Sequence, residues 1–130
     1  MPYLMVFLGA GLGGVLRQGV NAFALRHLSF VAFPLGTLFI NIAGSLAMGL
    51  IAGYFAHRGP DFAPAARLFL TTGILGGFTT FSAFSLEAVL LYQRGAVGSA
   101  AAYVTGSVTA ALIGCALGLW LIRALVGPAA

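Results

Sequence analysis

The sequence predicts an all-α membrane protein with four transmembrane helices, and three observations carry that prediction. Of 130 residues, 61% are hydrophobic and only 6% are charged. A soluble domain carries about 25% charged residues, so this chain has too few to cover a water-facing surface. Mean hydropathy is +1.07. The apolar residues also fall into separate runs, each exceeding the roughly 20 residues that cross about 30 Å of hydrocarbon.

The first run covers about 2–25 and carries Arg17, Gln18 and Asn21 in its second half. The second, 32–56, is uncharged and opens with Pro34. The third, about 67–93, holds Glu87 as its internal charge, and the fourth, about 95–122, is uncharged and long enough to tilt. Short connections join them: "RHLSF" (26–30), the polar loop "HRGPDFAPAAR" (57–67) and the turn "QRG" (93–95). Gly59, Pro60 and Pro64 break the helix in the polar loop. Backbone groups in lipid must bond within the protein, and these lengths suit helices rather than barrel strands. Residues 1–130 therefore form a single four-helix transmembrane domain. The N-terminus lacks the basic region and cleavage site of a signal peptide, so the first span is expected to be retained.

Several function classes drop out. The net charge of +4 comes from six Arg against Asp61 and Glu87, with no basic cluster, so nucleic acid is not an expected partner. No Ser/His/Asp grouping, metal-ligand spacing or phosphate loop is present, so no enzyme is expected. His27 and His57 fall at span ends as interfacial residues, and Cys115 is a small packing residue in "IGCALG". Four spans put both termini on one side, with Arg58, Arg67 and Arg123; Arg26, Arg94 and Arg17 belong to the other. This even split gives no preferred orientation. It is compatible with a weak bias in one chain or with insertion both ways up.

Glycines spaced four apart recur in every span: Gly9–Gly13, Gly49–Gly53, Gly73–Gly77 and Gly114–Gly118. Such pairs let helix backbones approach closely in lipid. Polar residues also follow helical spacing. Thr37, Asn41 and Ser45 form one stripe; Tyr103 and Ser107 form another, beside a line of Thr105 and Thr109. The third span adds Thr71, Thr72, Thr79, Thr80, Ser82 and Ser85. A Ser or Thr can satisfy itself on the preceding turn. Asn41 cannot, because an amide has more donors and acceptors than its own turn supplies. Hydroxyls and an amide can replace water around a small anion, and the near absence of fixed charge suits permeation, which needs weak, multiple sites. Arg17 and Glu87 are read either as interfacial or ion-paired residues, or as groups in aqueous vestibules.

"GILGGFTTFSAFS" (73–85) interrupts the third span. Gly76–Gly77 lowers helix propensity and Thr79–Thr80 adds β-branched stiffness. A helix broken here, at mid-membrane, frees the carbonyls of Gly76 and Thr79, and freed carbonyls can coordinate a cation. Phe81 and Phe84, three apart, share a face beyond the break, and their ring edges carry partial positive charge.

"GGVLRQG" (13–19), "GTLFINIAGSLAMG" (36–49) and above all "GILGGFTTFSAFS" resemble the three signature stretches of the Fluc/CrcB fluoride channels. The resemblance spans nearly the whole chain. It implies a passive, fluoride-selective channel of the cell membrane that exports fluoride through two pores in an antiparallel dual-topology homodimer. It further implies a structural Na+ at the dimer interface, held by the backbone carbonyls of Gly76 and Thr79. Phe81 and Phe84 then line the pore, Asn41 matches the pore asparagine, and Thr37, Thr80, Ser82, Tyr103 and Ser107 match the polar track. Arg17 and Glu87 match vestibule positions. Ala83 and Ala111 stand where the family pattern often has hydroxyls, which leaves the pore's far end less defined than its centre. Two other readings fit four apolar spans: a small dual-topology multidrug exporter and a non-conducting assembly subunit. The first needs an acid in the first helix, which has none. The second leaves Asn41 and the phenylalanine pair unexplained.

Overall fold

The computed structural model describes residues 1–128 and is all-helical across them. Helix α1 spans Pro2–His27 and α2 spans Leu35–Arg58. The third span is composite. It comprises α3 (Pro64–Leu68), a π-helical stretch (Phe69–Leu75), α4 (Gly76–Phe78) and α5 (Phe81–Gln93). Helix α6 runs Val97–Val126. Four lengths of helix are thus long and apolar enough to cross a membrane.

The boundaries follow local chemistry. Pro34 lacks an N–H and caps α2, so that helix begins at Leu35, three residues later than the apolar run suggests. Pro64 takes the first position of α3, where its missing N–H costs nothing, which starts the third span three residues early. Ala63, just before it, is held in the left-handed region at φ 43°. Gly95 turns the chain between α5 and α6 at φ 79°, a conformation that a side chain disfavours. Helix α6 has 30 residues, about 45 Å at 1.5 Å per residue, so it must tilt or protrude from a bilayer.

Two close seams organise the bundle. Helix α1 packs on the first half of the third span, and α2 packs along α6. On the first seam, a methyl on Gly9 would sit 2.8 Å from the Cα of Gly73, and one on Gly13 would overlap the carbonyl of Ile74. On the second, a methyl on Gly49 would overlap the carbonyl of Cys115. The spacing of glycines by four therefore marks backbone-to-backbone contact on all four spans, at Gly118 in α6. Gly114 is looser, with its nearest neighbour at 3.5 Å. A small apolar core of Phe84, Leu91, Ala100 and Tyr103 joins α5 to α6. Large apolar side chains elsewhere, such as Phe7, Val15, Phe23 and Leu112, stay exposed, as lipid-facing residues must.

Gly49→Ala should force α2 from α6 and lower stability by about 1–3 kcal/mol. Gly98→Ala, with nothing within 4 Å of the added methyl, should not. Thermal unfolding of the purified variants in detergent checks both.

Candidate functional site

The site is built where the helical path of the third span stops. Helix α4 ends at Phe78; Thr79 (ψ 156°) and Thr80 (φ −151°, ψ 117°) are extended, and α5 starts at Phe81. Extension takes backbone groups out of the helical ladder, and in apolar surroundings each needs another partner. Asn41 of α2 supplies two. Its Nδ2 donates to the carbonyl of Thr80 at 3.0 Å, and its Oδ1 accepts from the Thr80 N–H at 2.9 Å. One amide thus satisfies both halves of one peptide residue. Gly44, one turn along α2, makes room for this, because a methyl there would overlap Cγ2 of Thr79. Thr80 also caps α5, its hydroxyl accepting from the Ala83 N–H at 3.2 Å.

Around this clamp lies a cleft of about 250 Å3. Asn41, Ser45, Thr80, Phe81, Phe84 and Ser107 are among its walls. The structure therefore brings together five of the predicted pore residues from three helices. The two rings lie 5.6 Å apart, tilted by 49°. Phe84 is buried, whereas Phe81 is 78% exposed. Ser107 is 4% exposed, and its hydroxyl has no hydrogen-bond partner among the described residues. No ionisable residue lines this cleft.

The remaining predicted residues fall elsewhere. Glu87 accepts from the hydroxyl of Thr37 at 2.8 Å through Oε1 and from that of Tyr103 at 2.7 Å through Oε2. Thr37 and Tyr103 are fully buried. Of the readings offered for Glu87, pairing with an arginine is not the one found. Its partners are neutral hydroxyls, and no ion pair occurs among the described residues. Tyr103 links the two regions, with its ring 5.2 Å from that of Phe84 and its hydroxyl on Glu87. Glu87 and Thr37 line a second cleft of about 420 Å3 with Gln18, Asn21 and Ser29. Arg17 is not on its wall; the α1 groups that face it are Gln18 and Asn21. Phe33 also lines this cleft and meets Tyr103 edge-on at 5.5 Å. Its only sequence signal was an aromatic beside Pro34. Ser82 is exposed, 3.4 Å from the Thr80 hydroxyl.

Gly76 and Thr79 remain. The Thr80 N–H that a continuing helix would give to the carbonyl of Gly76 goes to Asn41 instead, and the Thr79 N–H goes to Leu75. Gly76 is exposed on the bundle surface. No three His, Cys, Asp or Glu side chains converge among the described residues, so side-chain ligation is not offered there.

Four apolar spans around a neutral cleft with a free hydroxyl define a small multi-pass membrane protein with a polar site inside the bundle. Comparison with known proteins makes this specific. Residues 4–119 match the family model described as CrcB-like protein, Camphor Resistance (CrcB), and the chain belongs to that family. A relative from Rhodopseudomonas palustris (strain BisB5), named fluoride-specific ion channel FluC, is 61% identical over 96% of this chain and 99% of its own length. One of the same name from Methylobacterium nodulans is 62% identical over 92% and 94%. A third, fluoride-specific ion channel FluC 2 of Nitrobacter hamburgensis, is 54% identical over 96% and 99%.

Removing the clamp and removing the free hydroxyl should differ. Asn41→Leu orphans the N–H and C=O of Thr80 and should cost about 1–3 kcal/mol. Ser107→Ala breaks no bond and should stay within about 0.5 kcal/mol of the parent. Thermal unfolding in detergent distinguishes them.

Proposed function

We infer that this chain is a fluoride-specific ion channel and not an enzyme, as the names of its relatives and its membership of the CrcB family support. Conduction is passive and lets fluoride leave the cell. The observation that carries the reading at the level of residues is the unpartnered Ser107 hydroxyl in a cleft edged by Phe81 and Phe84. A small anion must exchange its water shell for donors, and it must be able to leave again. A neutral hydroxyl and partially positive ring edges meet both demands, since no fixed cation lines the cleft to trap the ion. Asn41 contributes by holding Thr80, and its second amide hydrogen is left for the ion. Thr37, Tyr103 and Glu87 lie on the way to the wider cleft, which serves as a vestibule.

Two antiparallel chains complete the pores in this reading. Phe81 and Gly76 lie exposed on a surface that a second copy would cover. The even arginine split favours insertion both ways up. A two-fold axis in the membrane plane would bring both breaks together at the bilayer centre. The carbonyls of Gly76 and Thr79 would hold the structural sodium ion, which offsets their inward dipoles and joins the chains.

Reconstituted protein should release fluoride from loaded liposomes when a potassium ionophore is present, and chloride-loaded vesicles should not leak. Drug–proton exchange or no transport would overturn the reading. Phe84→Ile and Phe81→Ile should each cut flux at least about tenfold, with the dimer intact by size-exclusion chromatography, if the ring edges form one of the path's sites. Ser107→Ala should lower flux severalfold without destabilising the protein. Full flux in all three variants would remove these groups from the path.

A further inference from the structure

The hydroxyl track on α6 stops at Ala111, so the path from the central cleft toward the side of the termini is not defined by that helix. The structure offers another wall. Asn41, Ser45, Ala52 and Ala56 recur at four- and seven-residue steps and share one face of α2. The first two line the central cleft. The last two line a separate cleft of about 510 Å3 between α2 and the start of the third span. Across it stand Arg67, Thr71 and Thr72. Thr72 is exposed, while Gly73 and Leu75 are buried.

Two features of this cleft are unspent. Arg67 is exposed and is the only ionisable residue on its wall, and no carboxylate pairs with it among the described residues. Thr71 is occupied, its hydroxyl donating to the Arg67 carbonyl at 2.8 Å. Thr72, the next residue, makes no side-chain hydrogen bond among the described residues. The other cleft differs, because the ionisable residue on its wall is Glu87.

We propose that this cleft is the far mouth of the conduction path, with Arg67 as the charge that collects anions and the Thr72 hydroxyl as the first donor they meet. The proposal rests on the fluoride-channel reading. A positive side chain at a low-dielectric mouth raises the local anion concentration, and salt screens it. At the mouth, outside the narrow cleft, such a charge speeds arrival without trapping the ion.

The test is fluoride efflux from vesicles of zwitterionic lipid, measured in potassium isethionate at about 10 mM and about 300 mM, which span Debye lengths of roughly 30 and 6 Å. Wild-type flux in these vesicles tests the channel reading by itself. Given that flux, Arg67→Gln should lower the rate about threefold at low ionic strength and little at high. Arg67→Lys should restore it, and Arg123→Gln, a charge on the same side but outside the cleft, should leave it unchanged. Thr72→Val should lower the rate at both salt concentrations. Arg67→Gln at full rate in low salt would overturn the proposal. So would a loss equal at both ionic strengths and not rescued by lysine, since that pattern marks an anchor to protein or lipid rather than a collecting charge.

Discussion

Everything near the site depends on one amide. Where Thr79 and Thr80 are extended, Thr80 is buried, and its backbone donor and acceptor need partners within the protein. Asn41 takes both sides of Thr80, at 3.0 and 2.9 Å. An amide presents a donor and an acceptor side by side, so one side chain reaches both the N–H and the C=O of Thr80. The clamp fixes the direction of α5, and with it the placement of Phe81 and Phe84. It also uses the N–H that would otherwise have satisfied Gly76.

Close packing makes that reach possible. Gly44 lets Thr79 lie against α2, and Gly49 lets α2 lie against the backbone of α6. With lipid on the outside there is little hydrophobic gain from pressing apolar helices together, so contact must come from shape and from a few polar bonds. The bundle consequently buries few large side chains, and the ones it does bury include Phe84 and Tyr103 beside the cleft. Structural core and candidate path share residues here. Thr37 and Tyr103 illustrate this: both are fully buried, and both spend their hydroxyls on Glu87. A half-buried acid held by two neutral donors keeps its place without a neighbouring cation.

Much of this was legible in the residues. Hydrophobic runs gave four spans, and glycine spacing marked the seams at Gly9, Gly13, Gly49 and Gly118. The G-G-F-T-T-F-S-A-F stretch identified the family. The boundaries at Leu35 and Pro64 were misplaced by three residues because hydropathy does not register where proline caps a helix. Arg17, Gln18 and Asn21 share one helix, and it is Gln18 and Asn21 that line the cleft beside Glu87. Helical spacing fixes which residues share a face, but not which face meets the cavity.

The sequence by itself determined that this chain lives in a bilayer as four helices and belongs to the CrcB family, because composition and a contiguous motif are local properties. Only the tertiary structure decided which of many similar hydroxyls are spoken for. Thr37, Thr71, Thr79 and Ser85 are bound within the chain, while Ser107 is not. That distinction depends on partners up to 50 residues away, and satisfaction of a polar group is a property of the contact, not of the residue.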